Sequence, residues 1–311
     1  MTAALAFLFP GQGSQVVGMG KDLCDRFAVA RAVFAEADDV LRVPLSKLCF
    51  EGPLEELTLT ANTQPALLTM SWALTRVLAS EFALAPSWVA GHSLGEFSAL
   101  VAAGALTFAD GLRVVRERGC AMQAAVAPGI GSMAAVLGLD LDRIARICVE
   151  AADGQVVSPA NLNGGGQIVI AGHREAVERA LSLAKERGAT RVMVLPVSAP
   201  FHCALMAPAA ARLDRALEAI TISPLRCPVI TNVEARACTG PGRVKELLVA
   251  QVCSVVRWQE SVEELARLGC RAAIEVGPRR VLTGLARRIA PEIRCVAGED
   301  LDAVRELIAT A

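Results

Sequence analysis

Trp88-Val89-Ala90-Gly91-His92-Ser93-Leu94-Gly95-Glu96 is the stretch that decides the fold. Trp88 to Gly91 is short and apolar and reads as a brief strand, whereas Leu94 to Ala103 carries the spacing of a helix. Between them lies a G-x-S-x-G sequence, Gly91 to Gly95. Both glycines have a steric reason to be there, because a sharp strand-to-helix turn leaves no room for a Cβ at either position. The Ser93 hydroxyl would then stand at a helix N-terminus, where backbone N–H groups can stabilise an oxyanion. A bare match to this pattern also occurs in simple loops. Here the strand-turn-helix setting favours the elbow.

Moving outward, the apolar run Ala4 to Phe9 stops at Pro10 and enters Gly11-Gln12-Gly13-Ser14-Gln15, which reads as a buried strand ending in a tight loop. Helical patterns follow through Leu23, Phe27, Val29, Val33 and Phe34, and again over Gln64 to Phe82. This alternation predicts an α/β sheet with helices on both faces. From about residue 129 to 198 the rhythm changes. Ser132–Leu137, Gln155–Pro159, Gln167–Ala171 and Arg191–Val197 read as strands, and Leu141–Ala152 and Arg174–Arg187 as helices. The order β-α-β-β-α-β is that of a ferredoxin-like unit. Afterwards the first rhythm resumes, with strands at Pro228–Asn232 and Ala272–Val276 and helices at Val244–Cys253 and Val281–Ile289. The expected organisation is one α/β domain made of residues 1–128 and 199–311, with residues 129–198 inserted and a cleft between the two parts.

Composition narrows the class. The 311 residues are 53% hydrophobic and 20% charged, with apolar runs broken every few residues, as in a well-packed soluble chain. No apolar run approaches the roughly 18 residues that span a bilayer, and Ala3 to Phe9 lacks a basic leader, so a cytoplasmic protein is expected. The ten cysteines are scattered with no C-x-x-C, which suggests neither a zinc site nor a disulfide framework. A formal net charge of −1 gives no global field for nucleic acid or anionic membrane, so a charged partner must meet a local patch.

A serine hydroxyl needs a base, and the chain offers three histidines. His92 adjoins Ser93 within the elbow, so its side chain should diverge from it. His173 follows a strand of the insert and reads as an exposed turn residue. His202, in Pro200-Phe201-His202-Cys203, sits where the chain leaves the insert at the presumed edge of the cleft. A hydrogen-bonded structural histidine is the competing reading of that position. The Gly11-Gln12-Gly13 loop could supply a backbone N–H that completes an oxyanion hole with that of Leu94. Its other reading, a G-x-G-x-x-G fingerprint, is discounted because Val16 stands at the third glycine. Arg118, in the helical stretch Leu112 to Met122, offers a planar fork for a carboxylate if it faces the cleft, and is an ordinary solvated arginine if it does not. The residues alone leave that choice open.

Taken in order, Phe9–Gln15, Thr63-Gln64-Pro65-Ala66, Gly91–Glu96, Arg118-Gly119, Asn161-Leu162-Asn163, His202, Thr231-Asn232-Val233 and Glu275-Val276-Gly277-Pro278 make the chain resemble the malonyl-CoA:acyl-carrier-protein transacylases along essentially its whole length. That resemblance implies an α/β-hydrolase-like core with a mostly parallel sheet and a ferredoxin-like insert. It implies that Ser93 is acylated, that His202 activates it, and that Arg118 binds the malonyl carboxylate. The N–H groups of Gln12 and Leu94 would form the oxyanion hole, and Gln64, His92, Asn161, Asn163 and Asn232 would line the site. Malonyl-CoA and an acyl carrier protein would be the partners, with no cofactor, no metal and a monomeric enzyme expected. Because such carriers are acidic, Arg279, Arg280, Arg287 and Arg288 are candidates for a docking patch.

Two departures from the family pattern stand out. Ser254-Val255 replaces a common Asn-Pro in the loop whose carbonyl orients the catalytic histidine; any residue can supply a carbonyl, so the contact is expected to persist at Ser254. Phe201 stands where many fatty-acid-pathway members have Ser and resembles malonyl-selective acyltransferases of polyketide synthases. Fatty-acid synthesis is the expected pathway, a trans-acting polyketide acyltransferase and a serine acyl hydrolase being the alternatives.

Overall fold

A computed structural model describes residues 4–197 and 199–310. Its ten strands are β1 Leu5–Phe9, β2 Trp88–Gly91, β3 Gly131–Leu137, β4 Val157–Gly164, β5 Gln167–His173, β6 Arg191–Val194, β7 Val229–Ile230, β8 Ala237–Cys238, β9 Ala272–Glu275 and β10 Arg294–Ala297. Six form a sheet in the order β10-β9-β1-β2-β7-β8, in which every pairing is parallel except the antiparallel β7–β8 edge. The uninterrupted apolar run Leu5-Ala6-Phe7-Leu8-Phe9 is buried throughout β1, as expected of a strand covered on both faces. Phe7 and Phe9 enter one hydrophobic cluster while Ala6 and Leu8 enter the other, so alternate side chains serve opposite faces.

The remaining four strands form a second, wholly antiparallel sheet in the order β4-β5-β3-β6. Two helices, Leu141–Ala152 and Arg174–Glu186, pack their apolar stripes of Ile144, Ile147, Ala176, Val177 and Ala180 against it. This is the ferredoxin-like arrangement anticipated above, joined to a mostly parallel α/β core. Strand limits differ in detail. The strand expected at Gln155–Pro159 lies at Val157–Gly164, and the one expected to run to Val197 ends at Val194. The strand expected over Pro228–Asn232 pairs only at Val229–Ile230. Ser198, the expected last residue of the insert, lies outside the described residues, as do Met1, Thr2, Ala3 and Ala311 at the expected limits of the main domain.

Three features bring the functional segments together. The helix Leu94–Ala102 is buried on every side, which fixes the residue preceding it against the sheet edge. The long helix Thr60–Phe82 carries Pro65, which has no N–H to give to the carbonyl of Ala61; that carbonyl instead accepts from the Arg116 guanidinium at 2.7 Å, tying this helix to Phe108–Ala124. Finally, Val256 donates to the Ala160 carbonyl at 2.9 Å and accepts from Leu162 N–H at 2.9 Å, so β4 of the small sheet is stitched to the loop after the helix Val244–Cys253.

Candidate active site

Ser93 occupies the turn between β2 and the helix Leu94–Ala102 with φ 52° and ψ −106°, a conformation that side chains rarely adopt. The flanking glycines make it possible. A Cβ on Gly91 would strike the backbone of Gly95, and one on Gly95 would strike the carbonyl of Phe9. Asn232, fully buried, clamps the turn from behind: its Oδ1 accepts Ser93 N–H at 2.7 Å and its Nδ2 donates to the Gly91 carbonyl at 2.6 Å. Asn232 thus braces the elbow and does not line the cavity, contrary to expectation, because both ends of its amide are committed to backbone.

His202 approaches from the chain that follows the small sheet. Its backbone is also left-handed, φ 61°, and its Nε2 lies 2.7 Å from Ser93 Oγ. Nδ1 is 2.9 Å from the Gln251 carbonyl. A carbonyl only accepts, so Nδ1 carries the proton and Nε2 is free to accept from the serine. The expected contact from the Ser254 backbone is present but is secondary to that of Gln251. The helix Val244–Cys253 ends there, its last carbonyls lack intrahelical partners, and that of Gln251 faces the histidine; the backbone of Ser254 adds a weaker contact. Burial, and then the Arg118 charge, drive the His202 pKa down from 6.5 to about 3, so the imidazole is neutral.

Arg118 is 1% exposed and therefore not the solvated arginine. Its terminal nitrogens donate to Gln64 Oε1 at 2.9 Å, to Gln251 Oε1 at 2.9 Å and to Ser93 Oγ at 3.2 Å, and the guanidinium lies over the Phe97 ring at 5.2 Å. Its Nε has no partner among the described residues. Burial lowers its pKa to about 10 while Glu96 acts in the opposite direction, so the cation persists at neutral pH. The same burial raises Glu96 to about 7 against the hydrogen bond from Gln251.

The cavity above Ser93 has a volume of about 160 Å³. Gln12, Gln64, His92, Leu94, Arg118, Asn161, Asn163, Phe201 and His202 line it with Ser93, and Met122, Met133, Val169, Leu195 and Val197 supply apolar wall. His92 does turn away from Ser93: its Nε2 meets Asn163 Oδ1 at 2.9 Å and its ring tilts against Trp258. Gln12 and Leu94 both line this cavity beside Ser93, where the expected oxyanion role would place them. His173 is part-buried, not exposed, its Nδ1 accepting Val156 N–H at 2.9 Å, which makes it a structural residue of the insert. A larger groove of about 790 Å³, bounded by Arg26, Arg279, Arg280 and Arg305, contains none of the reactive groups. Two residues that touch the machinery went unread in the sequence, Gln251 and the role of Glu96. The signal for the first was a lone amide in the apolar run Leu247-Leu248-Val249-Ala250-Gln251-Val252.

A serine raised on a nucleophile elbow of an α/β core, within hydrogen-bond distance of both a neutral imidazole and a buried guanidinium, has the arrangement that acyl transfer requires. Residues 6–293 match the acyl transferase domain, and the chain belongs to that family. It is 50% identical over 292 residues to the malonyl CoA-acyl carrier protein transacylase of Escherichia coli K12, covering 94% of each chain. The crystal structure of acyl-carrier-protein-S-malonyltransferase from Bartonella henselae is 47% identical and superposes with a TM-score of 0.95, over 98% of this chain and 99% of that one. A malonyl-transacylase in complex with a type II polyketide-synthase acyl-carrier protein is 46% identical with a TM-score of 0.96, over 99% and 100%. The resemblance found in the sequence is borne out, and the chain is an acyltransferase.

Proposed function

We propose that this chain transfers malonyl from coenzyme A to the phosphopantetheine thiol of an acyl carrier protein through a malonyl ester on Ser93. One observation carries the reading: Ser93 Oγ lies 2.7 Å from His202 Nε2 and 3.2 Å from Arg118, so one atom faces both a base and an anchor for a carboxylate. His202 takes the Ser93 proton as Oγ attacks the thioester carbonyl, and the N–H groups of Gln12 and Leu94 hold the oxyanion. Collapse breaks the C–S bond, and the imidazolium returns its proton to the departing thiolate. In the second half the carrier thiol gives its proton to His202 and attacks the ester, and His202 then protonates Ser93 as it leaves. Arg118 holds the free carboxylate of malonyl, while Gln64, His92, Asn161, Asn163 and Phe201 shape the space around it. The cycle needs no cofactor.

Residues 129–198 serve as a subdomain that closes one side of the cleft, and the enzyme acts as a cytoplasmic monomer. No helix among the described residues is long and apolar enough to cross a membrane. The carrier docks where Arg287 and Arg288 are exposed on the helix Val281–Ile289. Arg288 sits against Gly165, in the turn that follows Asn163 of the cavity. Arg280, by contrast, is paired with Asp300 at 3.0 Å, which favours the other end of the helix. Fatty-acid synthesis is the pathway we favour. Phe201, together with the relative solved with a polyketide carrier, supports supply of a polyketide synthase as the second reading.

The test is to supply malonyl-CoA with and without phosphopantetheinylated carrier and measure both malonyl-carrier and free malonate. Carrier-dependent transfer with little malonate is expected. Malonate released equally with or without carrier would make the protein a serine hydrolase.

A further inference from the structure

We infer that Glu96 is a positioning residue for acyl transfer, acting through the side-chain amide of Gln251 to fix the Arg118 guanidinium. The inference rests on the proposed role of Arg118. Glu96 lies one turn after Ser93 on the helix Leu94–Ala102 and is 2% exposed. Its Oε2 accepts from Gln251 Nε2 at 2.6 Å and from Asn232 N–H at 3.1 Å. Gln251, with no exposed surface, also donates from Nε2 to the Ser93 carbonyl at 3.0 Å, and its Oε1 accepts from Arg118 at 2.9 Å.

The donor and acceptor types allow this arrangement only one way round. A guanidinium donates and cannot accept, so Oε1 must face Arg118. Glu96 Oε2 already accepts the Asn232 N–H, which marks it as the accepting oxygen of that carboxyl group whether or not the other oxygen is protonated, so Nε2 must face it. If Glu96 were apolar, the acceptors left to Nε2 among the described residues would be the Ser93 carbonyl and Asn232 Oδ1, the latter at a long 3.4 Å. The amide would then lose its shortest restraint, the 2.6 Å bond to Glu96, and would be held on the Nε2 side by the Ser93 carbonyl and that long contact alone. Its Oε1 would be fixed less firmly against the guanidinium, which weakens one of the three hydrogen bonds that anchor Arg118. Gln251 is also the residue whose backbone carbonyl holds His202. Its main chain therefore serves the base and its side chain serves the carboxylate anchor, and Glu96 controls only the second. The expected signature of disturbing Glu96 is thus selective: discrimination for an acyl group bearing a free carboxylate falls, while reactivity of Ser93 is largely kept.

The experiment measures kcat/KM for malonyl-CoA and acetyl-CoA with phosphopantetheinylated carrier in four variants: Glu96→Leu, Glu96→Gln, Gln251→Met and Arg118→Met. Glu96→Leu should lower the malonyl value about tenfold or more and the acetyl value about threefold or less, as loss of a hydrogen bond to a charged group implies. Glu96→Gln should restore the preference, because one amide oxygen can accept both bonds that Oε2 now accepts. Gln251→Met leaves the backbone carbonyl in place and should repeat the selective loss, so it decides the matter if Glu96→Leu fails to fold. Equal loss on both substrates, an unchanged preference, or a Glu96→Gln variant as impaired as Glu96→Leu would overturn the inference. Should Arg118→Met itself leave the preference intact, the reading of Arg118 falls and takes the inference with it; a preference lost in Arg118→Met but kept in the Glu96 and Gln251 variants sinks the inference alone.

Discussion

Ser93 and His202, separated by 109 positions in the chain, meet side chain to side chain at 2.7 Å while both hold left-handed backbones, φ 52° and φ 61°. Such conformations cost on the order of 1–3 kcal/mol each and persist only where surrounding structure enforces them. At Ser93 the enforcement comes from Gly91, Gly95 and Asn232. His202 is buried, and its ring is held by the Gln251 carbonyl.

The environment of His202 sets the pH behaviour. Its pKa in the folded protein is lowered to about 3, so the basic form is retained far below the ordinary 6.5. The acid limb of kcat/KM, measured with acetyl-CoA to avoid titration of the substrate carboxylate, should therefore lie well below pH 6.5. Stability follows the same sign: an unfolded chain binds a proton at this histidine below pH 6.5 and the folded one does not, so this contribution is lost as pH falls from 6.5 toward 3. Arg118→Met removes a charge that depresses the imidazole and should move the limb to higher pH. An acid limb near 6.5 in the unaltered enzyme would contradict this.

Arg118 should act on selectivity. A buried guanidinium left facing an acetyl methyl group is short of a partner, at a cost of about 2–5 kcal/mol. Arg118→Ala is expected to reduce malonyl transfer far more than acyl-enzyme formation from acetyl-CoA, read by stopped-time mass spectrometry. Equal reductions would mean that the residue supports the fold and not the substrate.

For the carrier, charge reversal at Arg287 and Arg288 should raise the apparent KM for carrier several-fold and flatten its dependence on salt, leaving the KM for malonyl-CoA unchanged. The same reversal at Arg279 and Arg280, beside Asp300 and Glu299, should have the smaller effect. No selective change with either pair would remove the patch from the account.

How far the fold could be read depended on local pattern. The helices Leu141–Ala152 and Val281–Ile289 were legible to the residue from their apolar stripes, and Val244–Cys253 from a mostly apolar run of helical length. Strand β4 was misplaced because its register shifts between Pro159 and Asn161 and again between Leu162 and Gly164, which breaks the alternation a strand normally displays. Strand β7 pairs over two residues only, too few for any pattern. In the site, Ser93 and His202 emerged from the elbow and from the shortage of histidines. Arg118 did not, because residue type and helical spacing cannot say which way a side chain faces. Gln251 was hidden because it acts through both a main-chain carbonyl and an amide, and the first of these has no sequence signature at all.

Whether Ser93 carries the malonyl group is decided by intact-protein mass spectrometry after mixing with malonyl-CoA in the absence of carrier. The unaltered chain should gain the mass of one malonyl group, which disappears on adding carrier thiol, and Ser93→Ala should gain nothing. A covalent malonyl adduct persisting on a folded Ser93→Ala protein would contradict that role of Ser93.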